Sequence, residues 1–205
     1  MSNPVPGHPS AGIVLAGGRS RRFGTDKRLA VVDGRPLLEG VVEAVAGVVD
    51  DVIVVLAPDE PAPGGLTAVR IAHDREPFAG PLAGLAAGLE VVPDASIALV
   101  VGADMPSLQP AVLRLMLKRA AAPVGPDAWT LEGPDANLVG PLPLAGRVAP
   151  LRRAASALLE RGQRSLRSLV LELGAGRIPA ADWRPLDPDG LTLRDVDRPE
   201  DLREG

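Results

Sequence analysis

Four cations crowd into nine residues of an otherwise acidic chain. Arg19, Arg21, Arg22 and Lys27 lie in the segment Leu15-Ala16-Gly17-Gly18-Arg19-Ser20-Arg21-Arg22-Phe23-Gly24-Thr25-Asp26-Lys27, whereas the whole chain carries a net charge of −4. Gly17 and Gly18 let the backbone approach a ligand closely and adopt positive φ, so successive N–H groups can cradle phosphate oxygens. The cations supply the neutralisation that a triphosphate needs, each charged hydrogen bond contributing roughly 1.5–3 kcal/mol. Gly17, Gly18 and the cations are therefore expected to meet phosphates. The loop matches neither G-x-G-x-x-G nor G-x-x-x-x-G-K-[ST], which argues against a dinucleotide oxidoreductase and a P-loop NTPase. A solvated basic turn after a buried strand is the bland alternative.

Carboxylates supply the second kind of chemistry. Asp104 ends the apolar run from Ile97 to Val101 and lies too far before Pro110 to cap the helix expected there. A carboxylate at a strand end suits Mg²⁺, which takes oxygen ligands and commonly one or two carboxylates beside phosphates. Asp74 follows the expected strand Val69–Ala72 and by itself reads only as a turn residue. Near the C terminus, Asp195 and Asp197 stand in Asp195-Val196-Asp197-Arg198-Pro199-Glu200-Asp201-Leu202. Read by itself, that stretch is an acidic turn capping a last helix. The two histidines, His8 and His73, form no pair for relay chemistry, and the absence of cysteine excludes thiol catalysis and disulfides.

The elements that position these residues follow from periodicity. Gly12–Ala16, Val52–Leu56 and Ile97–Val101 are short, continuous, β-branched-rich runs, the pattern of strands buried on both faces. Helical spacing and opening prolines predict helices over Pro36–Val49, Pro81–Val92 and Pro110–Ala121. Further helices are expected over Pro150–Arg161 and Ser165–Leu173, and short strands over Ala128–Leu131, Asn137–Val139 and Leu191–Leu193. Alternating strand and helix imply right-handed crossovers and an α/β fold of three layers, with a mostly parallel central sheet. In such sheets ligands bind beyond the carboxyl ends of the strands, where the glycine-rich loop and Asp104 both fall.

Residues 1–10 hold three prolines and read as a loose tail before one domain over 11–205. No apolar run approaches the ~20 residues that cross a bilayer, so a cytoplasmic location is expected and no membrane partner. The acidic balance and only two Phe, two Trp and no Tyr argue against nucleic-acid binding.

Four segments resemble the molybdenum cofactor guanylyltransferases, within the wider Rossmann-like nucleotidyltransferases. These are the loop Leu15–Lys27, Arg35-Pro36-Leu37-Leu38, Phe78-Ala79-Gly80-Pro81-Leu82-Ala83-Gly84-Leu85 and Val101-Gly102-Ala103-Asp104-Met105-Pro106. The resemblance implies transfer of GMP from GTP to the phosphate of a pterin, the molybdenum cofactor, with release of pyrophosphate. It implies Mg²⁺ on Asp104 and Asp197, and nucleotide contacts at Leu15, Ala16, Gly17, Gly18, Lys27, Asp74 and Pro81. It also implies catalytic roles for Arg22, Lys27 and Asp104, with Arg22 and Lys27 steadying the phosphates. GTP is preferred over CTP because Gly18 and Gly80-Pro81-Leu82 match the guanine-using branch. A cofactor-handling protein partner is a further expectation of the family. The closing segment departs from the family's Asn-x-Asn-Thr-Pro-Glu-Asp-Leu by carrying aspartate at both asparagine positions. The second half lacks the family's Gln/His-Pro strand, so another phosphorylated acceptor, or a silent GTP-binding module, stays open as an alternative.

Overall fold

A computed structural model describes residues 7–17, 31–32, 34–75, 79–133 and 140–196. The expectations at Gly18, Arg22, Lys27, Asp197 and the Asn137–Val139 strand lie outside them.

A seven-stranded sheet forms the middle layer. Its first half is β1 (Ser10–Leu15), β4 (Asp51–Leu56), β5 (Arg70–His73) and β6 (Ile97–Gly102); its second half is β7 (Ala128–Leu131), β8 (Leu144–Arg147) and β9 (Gly176–Ile178). A separate two-residue hairpin, β2 (Val31–Val32) with β3 (Arg35–Pro36), precedes the first helix. The strand order is β5-β4-β1-β6-β8-β7-β9, and β8 alone runs against the others. From β1 the chain winds outward to β4 and β5, then returns across the sheet to β6 on the other side of β1. The winding therefore reverses between β1 and β6, where open α/β sheets present their ligand crevice.

The apolar runs are strands because both of their faces are covered. Val14, Val54 and Val101 point into a core with α1 (Leu37–Ala46) and α3 (Pro110–Ala120), through Val41, Val45, Val112 and Met116. Ile13, Val55 and Val100 point the other way, against α2 (Pro81–Glu90), α4 (Val148–Glu160) and α5 (Leu166–Glu172), through Leu85, Leu89, Leu151 and Leu169. Two glycines set the layer spacing: a Cβ on Gly12 would lie 2.1 Å from Val45 Cγ1, and one on Gly88 would lie 2.8 Å from Ile13 Cγ2. Helix α1 can thus press on one face of β1 and α2 on the other.

Several expectations need correction. The tail expected over residues 1–10 ends sooner, because Pro9 O accepts a hydrogen bond from Ile97 N at 2.9 Å and Ser10 opens β1. Ser10 N–H and Oγ–H also donate to Asp50 Oδ2 at 2.8 and 2.7 Å, which ties the start of β1 to the start of β4. Helix α1 begins after Pro36, which belongs to β3, and stops at Ala46, where Gly47 closes the last turn onto Glu43 O. Leu191–Leu193 is one turn of 3₁₀ helix, held by the carboxylate of Asp187, and not a strand. The strands β8 and β9 were not expected, nor was the short helix α6 (Ala180–Trp183), whose Trp183 is fully buried and donates Nε1–H to Glu132 O.

Candidate active site

Hydrogen bonds extend the sheet one residue past its strands. Ala16 N–H donates to Val55 O at 2.8 Å, Ala103 N–H to Leu15 O at 3.0 Å, and Asp74 N–H to Leu56 O at 2.9 Å. Beyond these ties the chain ends part, and a cavity of about 400 Å³ opens over β1, β4 and β6. That volume is in the range of small-molecule sites. Its floor is Leu15 from β1 and Gly17 just past it, Val55 and Leu56 from β4, and Gly102 from β6.

Gly17 runs hard against the neighbouring strand end, where an added Cβ would lie 3.1 Å from Ala57 N and 3.2 Å from Leu56 C. The first turn of α2 supplies a wall through Gly80, Pro81 and Gly84. Gly80 sits at φ 90°, ψ 167°, a conformation essentially confined to glycine. It brings the backbone within reach of the next segment: Leu82 N–H donates to Arg164 O at 3.2 Å, and Arg164 Nη1 donates to Ala79 O at 3.1 Å.

Two carboxylates, Asp74 and Asp104, face this cavity. The place of Asp104 depends on Gly102, because a Cβ there would lie 2.3 Å from Asp104 Oδ1. Asp74 and Asp104 are the charged side chains among the described residues that line the cleft, and two carboxylates there suit a hard divalent cation. Among the described residues no cluster of three or more His, Asp or Glu is placed to hold a metal alone. A cation here would complete its shell with water and substrate oxygens, as Mg²⁺ usually does.

The structure thus brings together Leu15, Gly17, Asp74, Pro81 and Asp104 as expected from the sequence. Ala16 lies just beneath, buried, with its N–H spent on β4. Asp197 follows Val196, whose N–H donates to Asp104 O at 2.8 Å. The C-terminal segment therefore reaches the Asp104 strand end. Sequence reasoning missed Leu142 and Leu166, which border the cavity from the second half. Leu142 stands between two prolines with no period to read, and Leu166, inside the helix expected over Ser165–Leu173, reads only as one of its apolar positions. His73 takes no part in this cavity; its Nε2 is 2.9 Å from Glu60 O.

Comparison with known proteins fits this geometry. The family described as MobA-like NTP transferase domain matches residues 12–176. The chain belongs to that family. A relative from Chloroflexus aggregans, named probable molybdenum cofactor guanylyltransferase, is 34% identical over 94% of this chain and 91% of its own length. One of the same name from Methanothermobacter thermautotrophicus is 36% identical over 93% of this chain and 95% of its own. Among solved structures, molybdopterin-guanine dinucleotide biosynthesis protein A from Archaeoglobus fulgidus superposes with a TM-score of 0.79 at 22% identity, covering 94% of this chain and 95% of that one. The last likeness confirms the nucleotidyltransferase fold. No helix among the described residues is long and apolar enough to cross a membrane.

Proposed function

We propose that the chain is a cytoplasmic, Mg²⁺-dependent guanylyltransferase that moves GMP from GTP onto the phosphate of the molybdenum cofactor. The carrying observation is the cavity itself, where the strand-end backbone of Leu15 and Gly17, the Gly80-Pro81 wall and the Asp74 and Asp104 carboxylates converge. Near-full-length identity with relatives that bear that name supports the choice of base and acceptor.

An oxygen of the acceptor phosphate attacks the α-phosphorus of GTP. The bond from that phosphorus to the oxygen bridging the β-phosphorus breaks, a new phosphoanhydride forms, and pyrophosphate leaves with the bond's electron pair. A phosphate monoester has a second pKa of about 6, so the nucleophile is already ionised at neutral pH and no general base is required. This suits a cavity with no histidine among its lining residues. Catalysis then rests on positioning and charge neutralisation. Leu15, Gly17 and Pro81 position the nucleoside, while Arg22 and Lys27 of the glycine-rich loop steady the triphosphate and the departing pyrophosphate. Asp104, with Asp197 following the Val196–Asp104 tie, would hold Mg²⁺, which supplies charge neutralisation on the phosphate oxygens.

Pyrophosphate release from Mg·GTP, with and without molybdenum cofactor, tests the proposal beside CTP and ATP. Cofactor-dependent release with GTP, abolished in Asp104→Ala, is the expected result. GTP binding without release for any acceptor, or full activity in Asp104→Ala, would overturn it.

A further inference from the structure

The loop from Asp104 to Gln109 is gripped at both ends by one distant segment. At its start, Val196 N–H donates to Asp104 O at 2.8 Å. At its end, Gln109 N–H, at the N-cap of α3, donates to Thr192 Oγ1 at 3.1 Å across 83 residues of sequence. Gln109 makes no side-chain cap for its helix, so the Thr192 hydroxyl takes up an N–H that the helix terminus leaves over.

Thr192 is itself held from behind. Asp187 accepts hydrogen bonds from Leu191 N at 2.9 Å and Thr192 N at 2.8 Å, and the Thr192 hydroxyl also bonds to this carboxylate. The hydroxyl therefore passes its own hydrogen to Asp187 while it accepts from Gln109, giving a directed chain from helix α3 to a buried anion. Both Asp187 and Thr192 are closed off from solvent, at 3% and 0% exposure, and Val196 at 4% seals the other end of the grip. A buried carboxylate is costly unless its hydrogen bonds are complete, so the arrangement has one low-energy geometry.

We infer that Asp187 and Thr192 are positioning residues for Asp104: together with the Val196 tie they fix both ends of the loop that aims its carboxylate into the cavity. This rests on the proposed metal role of Asp104. Replacing groups that orient a metal ligand typically costs about 10–100-fold in metal affinity or activity. The segment Asp187–Val196 acts at the site without lining it.

The test uses the full chain and a fluorescent GTP analogue, titrated once with Mg²⁺ and once with EDTA. The readout is the ratio of the two affinities, which reports the metal-dependent part of nucleotide binding. Thr192→Val keeps the side chain's shape and removes both hydrogen bonds; it should reduce that ratio by about tenfold, in line with lost orienting partners elsewhere. Affinity in EDTA should stay at the wild-type value, and Thr192→Ser should restore the ratio. If Thr192→Val does not fold, Asp187→Asn, which keeps one acceptor oxygen, takes its place in the same comparison. A variant with a lower melting temperature and a wild-type ratio would overturn the inference, leaving the brace purely structural. Equal binding with Mg²⁺ and EDTA by the wild-type chain would instead overturn the metal role of Asp104, and the inference with it.

Discussion

Gly80→Ala should damage the protein more than any single added methyl group normally does. At φ 90°, ψ 167° an alanine costs about 1–3 kcal/mol in backbone strain alone. Its Cβ would also stand 2.9 Å from Arg164 O and 3.0 Å from Arg164 Cβ. The first of these is a backbone atom and cannot swing aside. Separating the two segments breaks the bond from Leu82 N–H to Arg164 O, worth about 1 kcal/mol more. The sum is roughly 2–4 kcal/mol, and at about 2–4 °C per kcal/mol for a domain of this size the melting temperature should fall by roughly 4–16 °C. Because Gly80 lines the cavity, GTP binding should weaken along with stability. Thermal unfolding by circular dichroism and titration with a fluorescent GTP analogue read the two effects. A variant melting within about 1 °C of wild type, with unchanged GTP affinity, would refute the argument.

Gly40 offers the opposite case. It lies inside α1 with nothing within 4 Å of an added Cβ, so Gly40→Ala should stabilise by about 0.5–1 kcal/mol and raise the melting temperature, with no change in GTP affinity. Asp187 predicts the acid limb of stability. Burial pushes its carboxyl up, but hydrogen bonds from Thr192, Leu191 and Gly190 outweigh this and hold it below the usual carboxylate range. A depressed folded value means a stabilising contribution that is complete above the unfolded value of about 3.9 and lost as pH falls through the folded one. In urea unfolding on that acid side, wild type should lose stability more steeply than Asp187→Asn; parallel curves would count against the reading.

The first half of the molecule was legible because its physics is local. The runs in β1, β4 and β6 are continuous in hydrophobicity because helices cover both faces, and Pro81 and Pro110 each occupy the first turn of a helix. Glycines and an aspartate directly after such strands point to a crevice, which marks Gly17 and Asp104 from the residues themselves, whereas Asp74 stood out only through the resemblance. The second half follows its neighbours more than its own pattern. Strand β8 is Leu-Ala-Gly-Arg, with Gly146 so close that a Cβ would meet Asp127 O at 2.8 Å, and β9 tucks Gly176 under the ring of Trp129. Neither has a period to read. Leu191-Thr192-Leu193 alternates like a strand, yet Asp187, four residues upstream, offers its N–H groups a carboxylate, and the local bonds win.

That division also bears on how the site does its work. The floor of the cavity is backbone locked by ties between adjacent strand ends, from Ala16 to Val55, from Ala103 to Leu15 and from Asp74 to Leu56. None of these bonds depends on the identity of a side chain, so the floor survives most substitution. Leu142 and Leu166, by contrast, reach the cavity from the second half, Leu166 as the first residue of α5, and share none of those ties. Their replacement alters the shape of one wall while leaving the floor intact. The Asp104 loop is the exception: it belongs to the floor by Ala103 and to the distant C-terminal segment by Val196 and Thr192. A change that moves the C-terminal segment therefore bears on the Asp104 loop through both of these bonds.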